Sequence, residues 1–404
     1  MAGFASRRLP KECMECGKAE GGNCPYRMGE RQNRYTVSRL RRGVRKVLPI
    51  DGSLPAGRSI APDVAVLVPT LRCSMHCPYC FQRGQGDQDE QQGEGDSLSL
   101  NEWQAIIGEL EQARPRVVVM GGELFLYPEA LALLRAIKAA DLNLTVITNG
   151  VALPRVAEHL LAMGLNQLVV SIDGPAHVHN TLRGHARGFE LATAGIQLVV
   201  NGRGICPSPF VQVSCTVSAY TQGYLEEFVE VMGHLNVDRI LFNSLIYATA
   251  EQVTAHSQHL RRRFQARWSN MALDHHARIG IDPELLGREM AAIRAGPWSD
   301  IVYMTPPGVE QNLAPYYAPH APPFENQRCT AVYRELWILP NGDLAACAHI
   351  PELSMGNVRA GGVMDAWNSP RYREFRQHLA QGLLPACVRC EKLQYVHPPD
   401  PCSL

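Results

Sequence analysis

Neither sign of charge predominates in this chain: 39 Lys and Arg residues balance 39 Asp and Glu, for a formal net charge of +0. That balance removes any bulk electrostatic argument for a nucleic-acid partner or an anionic membrane surface. Apolar runs long enough to span a bilayer are missing too, and Met1–Pro10 lacks the apolar core of a secretory signal. The expectation is a cytoplasmic protein with no membrane partner. Aromatic residues make up only 7% and charged residues 19%, against 46% hydrophobic, so a sizeable core is available and a disordered or fibrous chain is excluded. No repeat of solenoid period is present. At 404 residues the chain is long for one domain and comfortable for a barrel plus an appended module.

Cysteine is abundant, with 13 residues. In a reducing compartment disulfides are disfavoured and metal ligation becomes the leading use. The cysteines sort by position. Cys73, Cys77 and Cys80 follow a short apolar strand in VAVLVPTLRCSMHCPYC, with C-x3-C-x2-C spacing and Tyr79 before the last thiol. Cys13, Cys16 and Cys24 lie in a Gly-rich segment near the start, and Cys329, Cys347, Cys387, Cys390 and Cys402 lie near the end. Cys206 and Cys215, alone in the middle, read as small buried hydrophobes. Three thiols within one loop can converge on a metal centre. Structural zinc and closed clusters take four protein ligands, whereas a three-thiolate 4Fe–4S cluster leaves one iron open. A zinc knuckle or a chance group of core thiols stays open at this point.

From residue 63 to about 248 strand and helix patterns alternate. β-Branched apolar runs recur at 64–68, 116–120, 143–148, 166–172, 210–217 and 237–246. Helical stretches lie between them: LNEWQAIIGELEQA behind a Ser99/Glu102 capping box, PEALALLRAIKAA from Pro128, then 154–163, 186–199 and 222–234. Near-continuous apolar strands separated by helices predict a parallel sheet covered on both faces. Active sites in such folds sit at the carboxyl ends of the strands, where the cysteine loop falls. The acidic, Gly-rich stretch 84–97 reads as a loop, 249–295 as helical with a wet basic face at Arg261–Arg263, and the Pro-rich 296–327 as a linker or lid. The basic run Arg39, Arg41, Arg42, Arg45 and Lys46 reads as a solvated face or a docking patch for an acidic peptide or phosphate.

On these residues the chain resembles the radical S-adenosylmethionine (SAM) enzymes. C-x3-C-x2-C with an aromatic before the third Cys is that family's signature, followed here by Gly121-Gly122-Glu123, Thr148-Asn149-Gly150 and Ser171-Ile172-Asp173-Gly174 at successive strand ends, with Arg183-Gly184 shortly after the last. The resemblance implies an α/β fold, a partial (β/α)6 TIM-type barrel over residues 63–248. It also implies a 4Fe–4S cluster on Cys73, Cys77 and Cys80 whose open iron binds SAM, which is cleaved to a 5′-deoxyadenosyl radical. Tyr79, Gly121, Gly122, Glu123, Thr148, Asn149, Ser171, Asp173 and Arg183 are the implied SAM contacts, with Ser171 and Arg183 on its polar groups. An Arg fork suits a carboxylate.

Residues 329–404 resemble the twitch domain, a shorter version of the small Cys-rich SPASM domain that binds auxiliary iron–sulfur clusters. The pattern is Cys329, a hairpin about Pro340-Asn341-Gly342 ending at Cys347, a GNV stretch, a W-x-S-x5-F-R helix, and Cys387-Val-Arg-Cys390. Four thiols close one cluster; a zinc ribbon has the same ligand count. Cys13, Cys16, Cys24 and Cys402 are left over and are assigned to a second auxiliary site, or to zinc or to none. Residues 1–62 form a Cys-containing extension and 249–328 the connecting region. Sulfatase-maturing relatives carry Asp after the hairpin's last Cys; Ala348 stands there in this chain, which disfavours that activity.

The resemblance implies hydrogen abstraction from a ribosomally made precursor peptide, with oxidation or cross-linking as the outcome, and a flavodoxin or ferredoxin as electron donor. A small-molecule or RNA substrate, or a non-catalytic electron relay, are the alternatives. No catalytic acid or base is identified; His177, His179 and His349 are the histidines considered.

Overall fold

The computed structural model describes residues 55–80, 97–204, 208–266, 280–318 and 327–395. Cys13, Cys16, Cys24, Cys206, Cys402, the basic run 39–46 and most of 84–97 lie outside the described residues.

Six parallel strands occupy the segments expected from the apolar runs: β1 (Val64–Leu67), β2 (Arg116–Val119), β3 (Leu144–Thr148), β4 (Gln167–Ser171), β5 (Phe210–Val217) and β6 (Arg239–Ser244). They follow one another in spatial order, as short right-handed crossovers require. The intervening helices are α1 (Leu100–Ala113), α2 (Ala130–Ala139), α3 (Leu153–Ala162), α4 (Ala176–Arg183), α5 (Gly188–Gly202) and α6 (Leu225–His234). The capping box of α1 is complete, Ser99 accepting from the Glu102 N–H while the Glu102 carboxylate accepts from the Ser99 backbone. Its apolar stripe of Trp103, Ile106, Ile107 and Leu110 is buried. Each such side chain contributes roughly 1.5–3 kcal/mol on leaving water.

Two features differ from the sequence expectation. The Pro-rich stretch is not simply a linker. After α7 (Ala250–Phe264) and α8 (Pro283–Ala295), β7 (Val302–Thr305) pairs parallel with β6 and extends the sheet, and α9 (Leu313–Tyr317) follows. Prolines before and after β7 obscure a strand of only 4 residues. The carboxyl-terminal hairpin is also part of the main sheet. β8 (Gln327–Cys329) is followed by β9 (Glu335–Ile338), which pairs parallel with β1, and then by β10 (Asp343–Ala345) and β11 (Ser354–Asn357). The result is one 10-stranded sheet in the order β11-β10-β9-β1-β2-β3-β4-β5-β6-β7. Short helices α10 (Val358–Gly361) and α11 (Val363–Trp367) lead to α12 (Pro370–Gln381), and β12 (Leu393–Tyr395) pairs with β8.

Side chains on the strands alternate between two layers. Ala65, Leu67, Val117, Val119, Leu168 and Val170 pack beneath the helices, while Val66, Val68, Val118, Trp337 and Ala345 form a smaller cluster on the other face. Among the described residues no helix is long and apolar enough to cross a membrane. Arg261, Arg262 and Arg263 are exposed, as a wet helix face should be.

Candidate metal centres

The first cysteine group sits on the loop that leaves the carboxyl end of β1. Neighbouring strand ends hold the backbone of this loop. Gly122 N–H donates to Thr70 O at 3.0 Å and Glu123 N–H to Arg72 O at 2.7 Å. The approach is so close that a Cβ on Gly121 would stand 2.3 Å from Thr70 O, and one on Gly122 would stand 2.2 Å from Arg72 O. Glycine is therefore required here by the cysteine loop itself.

Glu123 is 3% exposed, and both its oxygens accept from the chain. Thr148 Oγ1 donates to Oε1 at 2.8 Å, Asn149 N–H to Oε2 at 2.8 Å, and Phe125 N–H to Oε1 at 3.2 Å. Burial raises its pKa, and those three donors work in the opposite direction. Glu123 thus ties the end of β3 to the end of β2. Asn149 in turn directs its Nδ2 toward Cys73 Sγ at 4.0 Å, and the Met75 N–H lies 3.4 Å from the same sulfur.

A second lock comes from β4. Asp173, fully buried, accepts from Arg183 Nε and Nη2 at 2.6 Å each and from the Tyr79 hydroxyl at 2.5 Å, all on Oδ2. Its Oδ1 accepts from the Thr216 N–H at 2.7 Å. His179 is buried with Nδ1 accepting from the Asp173 N–H at 3.0 Å, and burial pushes its pKa down to about 4, so the ring is neutral. His76 N–H donates to Arg183 O at 2.8 Å, a second tie between the loop and α4. The resemblance implies Arg183 on the polar groups of SAM; in the structure two of its donors serve Asp173.

Cys73, Cys77 and Cys80 are each partly exposed. Burial raises the Cys73 thiol, and raises Cys77 to about 11 against the pull of Arg183. Thiols so placed need a cationic centre to ionise.

Two thiols of the second group lie toward the amino end of β9. Cys329 precedes β9, which runs beside β1 from the same end, and Cys347 follows the returning strand β10. Cys329, Cys347, Cys387 and Cys390 line one cavity together with Trp337, Ala348, His349, His256, Glu335 and Lys392. All four thiols are raised by burial, Cys347 to about 12. Among the described residues neither cysteine group brings three sulfurs within 4.8 Å of one another; only His349, Cys390 and Glu391 gather three donors that closely. Tetrahedral zinc, with Zn–S of about 2.3 Å, holds its sulfurs within about 4 Å of each other. A cluster attaches each thiolate to a different iron and spaces them wider. Among the described residues neither group is spaced for tetrahedral zinc, and three thiols in one and four in the other match the ligand counts of an open and a closed cluster.

Sequence reasoning missed several residues around the second group. Arg389, inside Cys-x2-Cys and 1% exposed, donates to Tyr316 O at 2.9 Å and Ala318 O at 2.5 Å and lies 4.4 Å over the Tyr247 ring. Its acceptors sit in the stretch read as a linker. Arg376, fully buried, explains the W-x-S-x5-F-R pattern. It lies 4.2 Å over Trp367 and 4.0 Å over Tyr372, and it donates to Val332 O at 2.7 Å beside the Cys329 turn. Ser369 caps the helix. His256 of α7, 1% exposed, accepts the Ala386 N–H on Nδ1 at 3.3 Å, and burial pushes it down to about 4. His349 faces Glu391 at 3.4 Å, and His177 packs edge-on against Tyr224 with centroids 5.1 Å apart.

Two family models match. The radical SAM superfamily model matches residues 67–202, and the SPASM iron–sulfur cluster-binding domain model matches residues 329–391. An AdoMet-dependent heme synthase of Methanosarcina barkeri is 32% identical over 161 residues, covering 39% of this chain and 43% of its own length. A tungsten-containing aldehyde ferredoxin oxidoreductase cofactor-modifying protein of Pyrococcus furiosus is 24% identical over 338 residues, 80% of this chain and 85% of that one. The chain spans less than half the length of the first curated relatives it matches, at 43%, 42% and 43%. Among solved structures, Streptococcus suis SuiB bound to precursor peptide SuiA superposes with a TM-score of 0.58 at 15% identity, covering 80% of this chain and 68% of that one.

Proposed function

The chain belongs to the radical SAM superfamily and carries a SPASM domain; from that premise we propose that it abstracts hydrogen from a ribosomally made precursor peptide, oxidising or cross-linking it. A 4Fe–4S cluster with SAM bound supplies, when reduced, a hydrogen-abstracting 5′-deoxyadenosyl radical, and SPASM domains add auxiliary clusters. In this reading Cys73, Cys77 and Cys80 hold the first cluster, and Cys329, Cys347, Cys387 and Cys390 hold an auxiliary one. The Gly121-Gly122 backbone, Asn149 and Ser171 border the SAM site. Glu123, Thr148, Asp173, Arg183 and Tyr79 keep the loop in place rather than serving as free SAM ligands. A flavodoxin or ferredoxin supplies electrons.

The observation that carries the reading is the clamping of a three-thiol loop at the carboxyl end of β1 by contacts from residues just past β2 and β4, with β3 tied to β2 through Glu123. A non-catalytic relay would have no need of that clamp. Anaerobic incubation with dithionite and SAM tests it: the wild type yields 5′-deoxyadenosine, and Cys73→Ala/Cys77→Ala/Cys80→Ala yields none while keeping auxiliary iron. Equal yields would falsify the assignment.

A small-molecule substrate is the second reading, favoured by the cofactor-modifying relative that aligns across 80% of the chain. Deuterium transfer into 5′-deoxyadenosine, from a labelled peptide encoded beside the gene or from a labelled small molecule, separates the two.

A further inference from the structure

The helix between the two matched segments, α7 (Ala250–Phe264), meets α12 (Pro370–Gln381) of the SPASM segment, and two histidines touch across that seam. His259 Nε2 and His378 Nε2 stand 2.8 Å apart, with ring centroids 4.7 Å apart and both residues partly exposed. At that distance one nitrogen donates and the other accepts, so the acceptor carries no proton on Nε2. A second proton would set two N–H groups and two positive charges against each other. The carboxylate beside His378, Glu374 one turn before it, is already paired with Arg263 of α7 at 2.8 Å. Arg371 of α12 donates to Phe264 O at 2.9 Å, and His256, one turn before His259, is neutral. Burial, His259 and Arg263 hold the His378 pKa below its ordinary value, against the pull of Glu374.

The seam bounds the cavity of the second cysteine group. His256 of α7 and Phe375 and Leu379 of α12 line it with Cys329, Cys347, Cys387 and Cys390. Phe264 closes the seam from α7, edge-on to Phe375 at 5.3 Å and to His378 at 5.5 Å. The Arg263–Glu374 pair is about half exposed, so water screens it more than the part-buried histidine pair. We propose that His259 and His378 form a pH-operated latch: with one imidazole unprotonated at Nε2 the seam between α7 and α12 stays shut, and protonation of both opens a path to the auxiliary cavity. A histidine held neutral by the fold contributes stability that is full above its unfolded pKa of about 6.5 and is lost as pH falls from there toward the folded value. The latch therefore works on the acid side of neutrality. It goes beyond the proposed function and rests on that reading only where the auxiliary cluster serves as a reporter.

Two measurements on the full chain, reconstituted anaerobically with iron and sulfide, compare His259→Gln and His378→Gln with the parent protein. Gln keeps a donor and an acceptor at either position and takes up no proton in this range. The first measurement follows hydrogen–deuterium exchange in peptides from α7 and α12, read as the ratio of parent to variant at each pH so that intrinsic exchange cancels. Between about pH 7.5 and 5.5 the parent should gain exchange over both variants, by up to about tenfold per pH unit, the limit for one proton taken up on opening. The second follows loss of iron to a chelator in chains that also carry Cys73→Ala/Cys77→Ala/Cys80→Ala, so that the first cluster is not observed. Its parent-to-variant ratio should climb over the same window. A protein without auxiliary iron overturns the cluster reading, and exchange alone then judges the latch. The same pH response of exchange in the parent and both Gln variants overturns the latch. Exchange that responds while iron loss does not overturns the path to the cavity.

Discussion

Arg183 donates through both Nε and Nη2 to a single oxygen of Asp173, Oδ2, at 2.6 Å each. Tyr79 donates to the same oxygen from the cysteine loop. The pair therefore links the loop's aromatic residue to the end of β4. It is almost wholly buried, with side chains 9% and 0% exposed. Removing one member of such a pair leaves an uncompensated buried charge, which costs about 3–5 kcal/mol. Asp173→Ala is expected to lower stability by that order in denaturant titration and to lose iron from the first cluster before the auxiliary one. Equal retention of both would mean that the pair does not support the loop.

Gly122 gives a sharper steric test. A Cβ there meets Arg72 O at 2.2 Å and Leu71 O at 2.3 Å, both backbone atoms of the loop. Gly122→Ala is expected to displace the loop, reducing SAM binding and iron at Cys73, Cys77 and Cys80 while sparing the auxiliary iron. Gly108→Ala is the control. Nothing lies within 4 Å of a Cβ there, and a helix-interior Gly→Ala change should stabilise by roughly 0.5–1 kcal/mol. Calorimetry and iron analysis of the two variants check both expectations.

The Glu102–Arg359 pair joins α1 to α10 at 2.6 Å. The hydrogen bond from Arg359, with those from Ser99, holds the Glu102 carboxyl down at about 2 from an ordinary 4.5. A depressed carboxylate pKa contributes stability that is full above the unfolded value and lost as pH falls through the folded one. The contribution should therefore be constant above about pH 5 and fade between about 4.5 and 2. Glu102→Gln keeps a capping-box side chain and removes the charge. Its deficit in urea midpoint relative to wild type should shrink over that window.

Arg389 anchors the Cys-x2-Cys turn to Tyr316 and Ala318. Lysine cannot reproduce a planar fork that also stacks on Tyr247. Arg389→Lys is expected to lose two charge-assisted hydrogen bonds of about 1.5–3 kcal/mol each in part, and with them auxiliary iron. Mössbauer spectra should show the first cluster retained.

Total iron tests the cysteines outside the described residues. Three clusters on the order of twelve irons per chain are expected if Cys13, Cys16, Cys24 and Cys402 bind one. Cys13→Ala/Cys16→Ala should then drop the content to about eight. Unchanged iron would leave two clusters.

The sequence by itself determined the elements and the ligand types. Strand and helix periodicity is local, so β1 to β6 and five of the six helices among them were legible, α1 to the residue because its capping box is a contiguous signal; the short α4 (Ala176–Arg183) was not. Cysteine spacing is local too, and it separated the two sulfur groups. What only the tertiary structure decided is where side chains end their reach. Glu123 stands at a strand end the sequence marks and Arg183 at the end of α4, yet they bond to Thr148, Asn149 and Asp173, partners that a linear reading cannot distinguish from a ligand. β7 and the pairing of β9 with β1 depend on edges exposed only after the sheet forms. Arg389, Arg376 and His256 take their roles from chain segments 71, 44 and 130 residues away. Buried polar groups must find partners wherever the fold supplies them, and that supply is set by packing rather than by spacing.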